Sequence, residues 1–129
     1  MSERPEQGSE ETPDAADLAV TEWLALPDLA ERLGLDVLKA RQVIKDRQVI
    51  GRRRGPRLVF AVPADFVQDG QVLKGLPGTL SVLRDSGYDD DASLRWLFTE
   101  DDSLPGTPVR ALRENRGTEV RRRAQAAAF

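Results

Sequence analysis

Two short stretches of helical periodicity meet at a glycine between residues 26 and 46. Apolar residues recur at helical spacing in both: Leu29, Ala30 and Leu33 in the first, and Val37, Ala40, Val43 and Ile44 in the second. Pro27 suits the first turn of a helix, and Gly34 predicts where that helix ends. Asp36 is placed to cap a second helix over DVLKARQVIKD. Two short helices separated by a turn with glycine form a helix-turn-helix unit.

The second predicted helix has a polar, mostly basic face opposite its apolar stripe. This face consists of Leu38, Lys39, Arg41, Gln42 and Lys45. A recognition helix presents such a face to the major groove of DNA, where Gln can pair with adenine. An ordinary solvated helix surface has the same composition, so the helix by itself leaves both interpretations open.

Four arginines surround a predicted tight turn that follows the second helix. The segments QVIGRRR and RLVFAV are rich in β-branched and aromatic residues, and Gly55-Pro56 lies between them. This pattern predicts a two-stranded hairpin beside the helix. The hairpin would carry Arg52, Arg53, Arg54 and Arg57. A hairpin in this position is a wing, whose arginines contact phosphates or the adjacent minor groove.

Charge is segregated along the chain, although the net charge is only −3. Residues 1–22 and residues 85–102 each hold seven acidic residues and one basic residue, a net charge of −6. Residues 36–62 hold eight basic and two acidic residues, a net charge of +6. A local basic field of this kind steers an anionic partner even in a weakly acidic molecule.

Cysteine and histidine are both absent from the 129 residues. Their absence excludes disulfides, zinc–thiolate sites, thiolate nucleophiles and imidazole bases or metal ligands. The chain also has no Gly-rich phosphate loop, so we expect no enzyme activity, no metal and no cofactor. It has no apolar run of about 18 residues and no secretory signal, which predicts a cytoplasmic protein and no contact with a membrane.

Residues 24–67, LALPDLAERLGLDVLKARQVIKDRQVIGRRRGPRLVFAVPADFV, resemble the small winged helix-turn-helix domains of the excisionase and MerR type. Those domains continue from the hairpin into a Pro-initiated helix, here PADFV. With LPGTLSVLRD, RWLFT and VRRRAQA, the chain from residue 18 to 129 is similar to a small actinobacterial family. That family consists of winged helix-turn-helix DNA-binding proteins with a dedicated C-terminal domain, some of them substrates of a Ser/Thr protein kinase.

The predicted fold is therefore mainly α with a small β-hairpin, in three parts. Residues 1–17 are predicted to be a disordered acidic tail, in which Thr12 before Pro13 is accessible to a Ser/Thr protein kinase. Residues 18–67 form the predicted winged helix-turn-helix, and residues 68–129 form a helical domain for interaction or dimerisation. Double-stranded DNA is the expected partner, which implies transcription regulation or association with the nucleoid.

Capping residues predict four helices in the C-terminal part. The first runs from about Thr79 to Asp85, Asp91 caps the second, Thr107-Pro108 opens the third and Gly117 separates the third from an Ala-rich fourth. Trp96 is predicted to lie in the core or to anchor a partner. The fourth helix carries Arg121, Arg122 and Arg123, which can contact DNA, pair with the acidic 85–102 segment or stabilise the helix end.

The C-terminal part also resembles the toxin-binding module of a class of antitoxins. The resemblance rests on DDSLPGTPVRALRENRGTEVRRRA, whose capping residues organise a small helical domain. It implies a second function of another class, a module that binds a partner protein and in which DNA binding is secondary.

Overall fold

The computed structural model describes residues 19–127. Within this range the chain forms six α-helices, which we number in order: α1 Leu26–Leu33, α2 Val37–Lys45, α3 Leu76–Asp85, α4 Asp90–Leu97, α5 Pro108–Arg113 and α6 Gly117–Ala127. It also forms five short strands: β1 Trp23–Ala25, β2 Arg52–Arg54, β3 Val59–Pro63, β4 Val67–Gln68 and β5 Gln71–Val72. The predicted class, mainly α with a small hairpin, is confirmed. The predicted tail lies outside the described residues.

Pro27, Gly34 and Asp36 have the positions in α1 and α2 that the sequence predicted. Pro27 lies in the first turn of α1, and Gly34 ends the helix in the left-handed conformation, with φ of 67°. Glycine adopts this conformation without a steric penalty, which is why it closes helices so often. Asp36 caps α2, because its carboxylate accepts a hydrogen bond from the Lys39 N–H at 2.8 Å. The helix-turn-helix prediction is confirmed.

One residue of the predicted apolar stripe on α2 is misplaced. Ala40 is fully buried, and Val43 and Ile44 pack against the core. Val37, however, is 41% exposed and lies at the surface with Leu38. The prediction that Val37 shares the buried stripe was wrong, because the core does not cover this residue of the first turn of α2.

β3 is the central strand of an antiparallel sheet with the order β1–β3–β2. The predicted hairpin forms between β2 and β3 and pairs Arg52 with Ala61. Strand β2 is shorter than the predicted QVIGRRR segment, since it begins at Arg52, and Val49 and Ile50 lie buried in the core ahead of it. β1 was not predicted as a strand, and it pairs Trp23 with Pro63 on the other edge of β3.

The Pro-initiated helix implied by PADFV is reduced to a single 3₁₀ turn, Ala64–Phe66. This turn places Phe66 in the core, where it is fully buried. A second small hairpin, β4–β5, follows and turns at Asp69 and Gly70, which both have positive φ. The chain then enters the C-terminal helices.

Two of the C-terminal helices start at other residues than predicted. α3 begins at Leu76 rather than Thr79, because Pro77 is accommodated in a first turn. Asp89, not Asp91, caps α4, and its carboxylate accepts from the Ala92 N–H at 2.8 Å. Thr107 caps α5 as predicted. Gly117, predicted to separate the last two helices, is itself the first residue of α6.

One hydrophobic cluster runs through both halves of the described chain. It includes Leu29, Val49 and Phe66 from the first half and Leu73, Leu94, Phe98 and Val120 from the second. The Phe66 and Phe98 rings lie with their centroids 5.9 Å apart, and half-buried Trp96 packs against the cluster. The Arg113 side chain adds polar contacts by donating to the Asp65 and Val67 carbonyls at 2.8 and 2.9 Å. No helix between residues 19 and 127 combines the length and apolar character needed to cross a bilayer.

Candidate nucleic-acid interface

Helix α2 presents a basic surface to solvent. Lys39, Arg41, Gln42 and Lys45 are all exposed, whereas Ala40 on the opposite side is buried. The face that helical spacing predicted therefore lies at the surface. The Gln42 Nε2 donates to the Asp46 carboxylate at 2.8 Å, so this bond has to break before Gln42 can pair with a base edge.

The tip of the β2–β3 hairpin carries two outward-facing arginines. Arg53 and Arg57 are exposed, and the Arg53 Nη1 donates to the Leu58 carbonyl at 3.1 Å. The Leu58 N–H closes the turn by donating to the Gly55 carbonyl at 3.0 Å. Phosphate groups could approach both guanidinium groups without displacing a carboxylate.

The other two arginines of the hairpin face the protein. Side chains alternate between the two faces of a strand, so Arg52 and Arg54 share the face opposite Arg53. Arg54 lies 4.5 Å from the centre of the Trp23 ring, which is a cation–π contact. Arg52 keeps only 12% of its side chain exposed and donates to the Asp91 carboxylate of α4 at 2.9 Å. The structure therefore divides the four predicted site arginines between two environments.

Sequence reasoning missed the ion pairs that join this hairpin region to the start of α4. Arg47, with φ of 59°, bonds to Asp90, and Arg52 bonds to Asp91. The acidic 85–102 segment thus meets arginines from the first half of the chain. Among the three arginines of α6, Arg123 donates to the Ser103 hydroxyl at 2.7 Å. Hydrogen bonds from Ser103 lower the pKa of Asp101, and the charge of Arg123 contributes.

Large apolar side chains are exposed on the same two elements. Leu38 is 73% exposed at the start of α2, next to Val37. Leu58 is 60% exposed and Val59 49% exposed on the hairpin. Helical spacing had placed Leu38 on the outward face of the second helix, whereas no sequence pattern marked Leu58 and Val59 as exposed. Apolar groups at a DNA surface contact thymine methyl groups and sugars.

Between residues 19 and 127, no group of acidic residues is arranged to hold a metal ion. The predicted phosphorylation site, Thr12, lies outside the described residues.

Comparisons with known proteins match both halves of the chain. The family model described as the winged helix-turn-helix domain of DNA-binding protein Rv2175c matches residues 12–67. The model described as the Rv2175c C-terminal domain of unknown function matches residues 73–128.

A relative and a solved structure agree with these matches. The DNA-binding protein Rv2175c of Mycobacterium tuberculosis is 40% identical over 116 residues, which cover 81% of this chain and 79% of the relative. The NMR structure of Rv2175c has a TM-score of 0.75 at 38% identity and covers 84% of this chain and 82% of that one. The chain therefore matches the Rv2175c winged helix-turn-helix and C-terminal domains in sequence, and the solved structure of Rv2175c in fold. It belongs to the Rv2175c family.

Proposed function

We propose that the protein binds double-stranded DNA through α2 and the β2–β3 hairpin. The observation that carries the proposal is the set of exposed cations on these two elements: Lys39, Arg41 and Lys45 on α2, and Arg53 and Arg57 on the hairpin. These elements belong to a winged helix-turn-helix, and a relative with this architecture is named a DNA-binding protein.

Each element has its own part in the proposed complex. Lys39, Arg41, Gln42 and Lys45 lie in or along the major groove. Arg53 and Arg57 contact phosphates or the minor groove from the wing. Arg52 stays bonded to Asp91 and holds the wing to α4, and Arg54 stacks on Trp23. The last two residues orient the wing rather than read DNA.

The test compares two variants with the same change in charge. Arg53→Ala/Arg57→Ala removes the exposed wing arginines, and Arg84→Ala/Arg95→Ala removes two exposed arginines of the C-terminal half. Fluorescence anisotropy with a mixed-sequence duplex, at about 50 and 200 mM salt, gives the affinity and its salt slope. The slope of log affinity against log salt is negative, and each lost phosphate contact makes it less steep by about 0.9.

We expect the wing variant to lose affinity for every sequence, and its salt slope to be less steep than that of wild type by about 2. The control should stay close to wild type in both quantities. An equal loss in the two variants would mean that net charge, not the wing, governs binding, and would contradict the proposal.

The biological role is proposed as transcription regulation or association with the nucleoid. We further propose that a Ser/Thr protein kinase phosphorylates Thr12, and that the added negative charge of about −2 weakens DNA binding by competing for the basic face. Anisotropy on stoichiometrically phosphorylated protein tests this, and an unchanged affinity would refute it. Dimerisation through residues 68–129 and the antitoxin-like function stay predictions.

A further inference from the structure

A basic cleft lies between the start of α3 and the start of α6. It has a volume of about 560 Å³. Besides Gly75 and Gly117, its lining consists of Lys74, Asn115, Thr118, Arg121, Arg122 and Gln125. The lining thus includes three cations and no carboxylate, in a chain whose net charge is −3.

The three cations of the cleft are available to a ligand. Within residues 19–127, the side chains of Lys74, Arg121 and Arg122 form no hydrogen bond or ion pair. The charge of Arg122 helps to lower the pKa of Glu119, but two bonds from Arg116, at 2.7 and 3.2 Å, already hold that carboxylate. The same bonds lower the pKa of Glu119, which keeps it ionised and engaged with Arg116.

A glycine next to the cleft leaves room for one of the guanidinium groups. A Cβ atom on Gly78 would lie 2.8 Å from the Arg121 Nη2, so Arg121 lies directly against the first turn of α3. On the other side, Gly117 and Thr118 contribute the first turn of α6. Free N–H groups at a helix start add partial positive charge to that of the side chains.

The chemistry of the lining favours a phosphate backbone over a nucleotide. No aromatic or large apolar side chain lines the cleft, so it lacks the aromatic platform on which proteins usually stack a base. Cations on flexible stems and a helix start are the groups that contact phosphates without reading sequence.

The cleft is separate from the surface proposed to bind DNA. It adjoins the N-terminal end of α3, whereas Arg84 at the other end of α3 lines a recess with Arg47 and Asp90. The ten residues of α3 place these ends about 15 Å apart. The cleft shares no residue with the α2 and hairpin surface proposed to bind DNA.

We propose that this cleft is a second phosphate-binding site, and that its ligand is the sugar-phosphate backbone of double-stranded DNA. The choice of DNA as the anion rests on the proposed function, but the site does not depend on the wing. Its function is to give the C-terminal domain a sequence-independent hold on DNA, in addition to the contacts of α2 and the hairpin.

Chemical-shift mapping on the 15N-labelled full chain tests the two sites separately. A mixed-sequence duplex is titrated beyond one equivalent at about 50 and 200 mM salt. The amides of Thr118 and Arg121 report on the cleft, and those of Arg41 and Arg53 report on the wing surface. We expect both sets to shift, with the cleft affinity falling about tenfold between the two salt concentrations if two phosphates are bound.

Matched variants and a small anion complete the test. Arg121→Ala/Arg122→Ala should abolish the shift at Thr118 and keep that at Arg53, whereas Arg84→Ala/Arg95→Ala should keep both. Shifts at the wing reporters alone would overturn the proposal that the cleft binds DNA and would leave the proposed function standing. Shifts at the cleft reporters alone would support phosphate binding at the cleft and contradict the proposed binding of DNA by α2 and the hairpin. Cleft shifts caused by pyrophosphate but not by the duplex, or shifts that persist in Arg121→Ala/Arg122→Ala, would overturn the assignment to DNA.

Discussion

At the scale of the residue, Gly51 decides how closely the hairpin approaches the sheet. It is buried immediately before β2, and a Cβ atom there would lie 2.1 Å from the Ala61 carbonyl oxygen and 3.0 Å from the Phe60 ring. The obstacle is backbone rather than a flexible side chain. Ala61 also pairs with both neighbouring strands, through Ala25 and Arg52, so it cannot move away freely.

We therefore expect Gly51→Ala to lower the free energy of unfolding by about 1–3 kcal/mol, the cost of overpacking a well-packed site. Urea unfolding followed by circular dichroism measures the change. Gly117→Ala is the control, because a Cβ atom there would meet only ordinary contacts at 3.8 Å or more. Wild-type stability in Gly51→Ala would show that β2 and β3 separate at little cost and would contradict this account of the wing.

At the scale of the element, α2 owes its start to one hydrogen bond. The Asp36 carboxylate accepts from the Lys39 N–H at 2.8 Å, and the helix then carries the proposed DNA-contacting face. Asp36→Ala should lower the free energy of unfolding by about 1 kcal/mol. Asp36→Asn should lower it much less, because the amide oxygen of Asn also accepts the hydrogen bond from the Lys39 N–H. Urea unfolding compares the three proteins. A loss in Asp36→Asn as large as in Asp36→Ala would assign the effect to charge instead of to capping.

The elements predicted from the sequence are those whose cause is local. Pro27, Gly34 and Asp36 act on residues within one turn, so α1, α2 and the turn between them could be predicted. β1 could not, because three residues carry too short a pattern and their partner strand is distant in the sequence. The basic face of α2 followed from helical spacing. The inward turn of Arg52 did not, because Asp91 reaches it only through the tertiary fold.

At the scale of the whole molecule, the two segments that the family models match share one hydrophobic core. The family models meet between residues 67 and 73, yet the hydrophobic cluster extends across that junction. Phe66 touches Phe98, Arg113 bonds to the carbonyls of Asp65 and Val67, and Arg52 bonds to Asp91. A division of the sequence into residues 18–67 and 68–129 therefore does not imply two separate cores. We therefore expect the winged helix-turn-helix to depend on the C-terminal helices for part of its stability.

This shared interior predicts that both halves unfold together. Each half holds one tryptophan, Trp23 in β1 and Trp96 in α4, so Trp96→Phe and Trp23→Phe proteins report on the two halves separately. In each of the two proteins, we expect the urea unfolding transition followed by tryptophan fluorescence to coincide with the transition followed by circular dichroism. Phe98→Ala should then shift both tryptophan signals by the same amount, about 3–5 kcal/mol, because it removes a buried ring that both halves contact. A Trp23 transition that stays in place while the Trp96 transition moves would show that the DNA-binding half folds independently, and that its contacts with α4 contribute nothing to its stability.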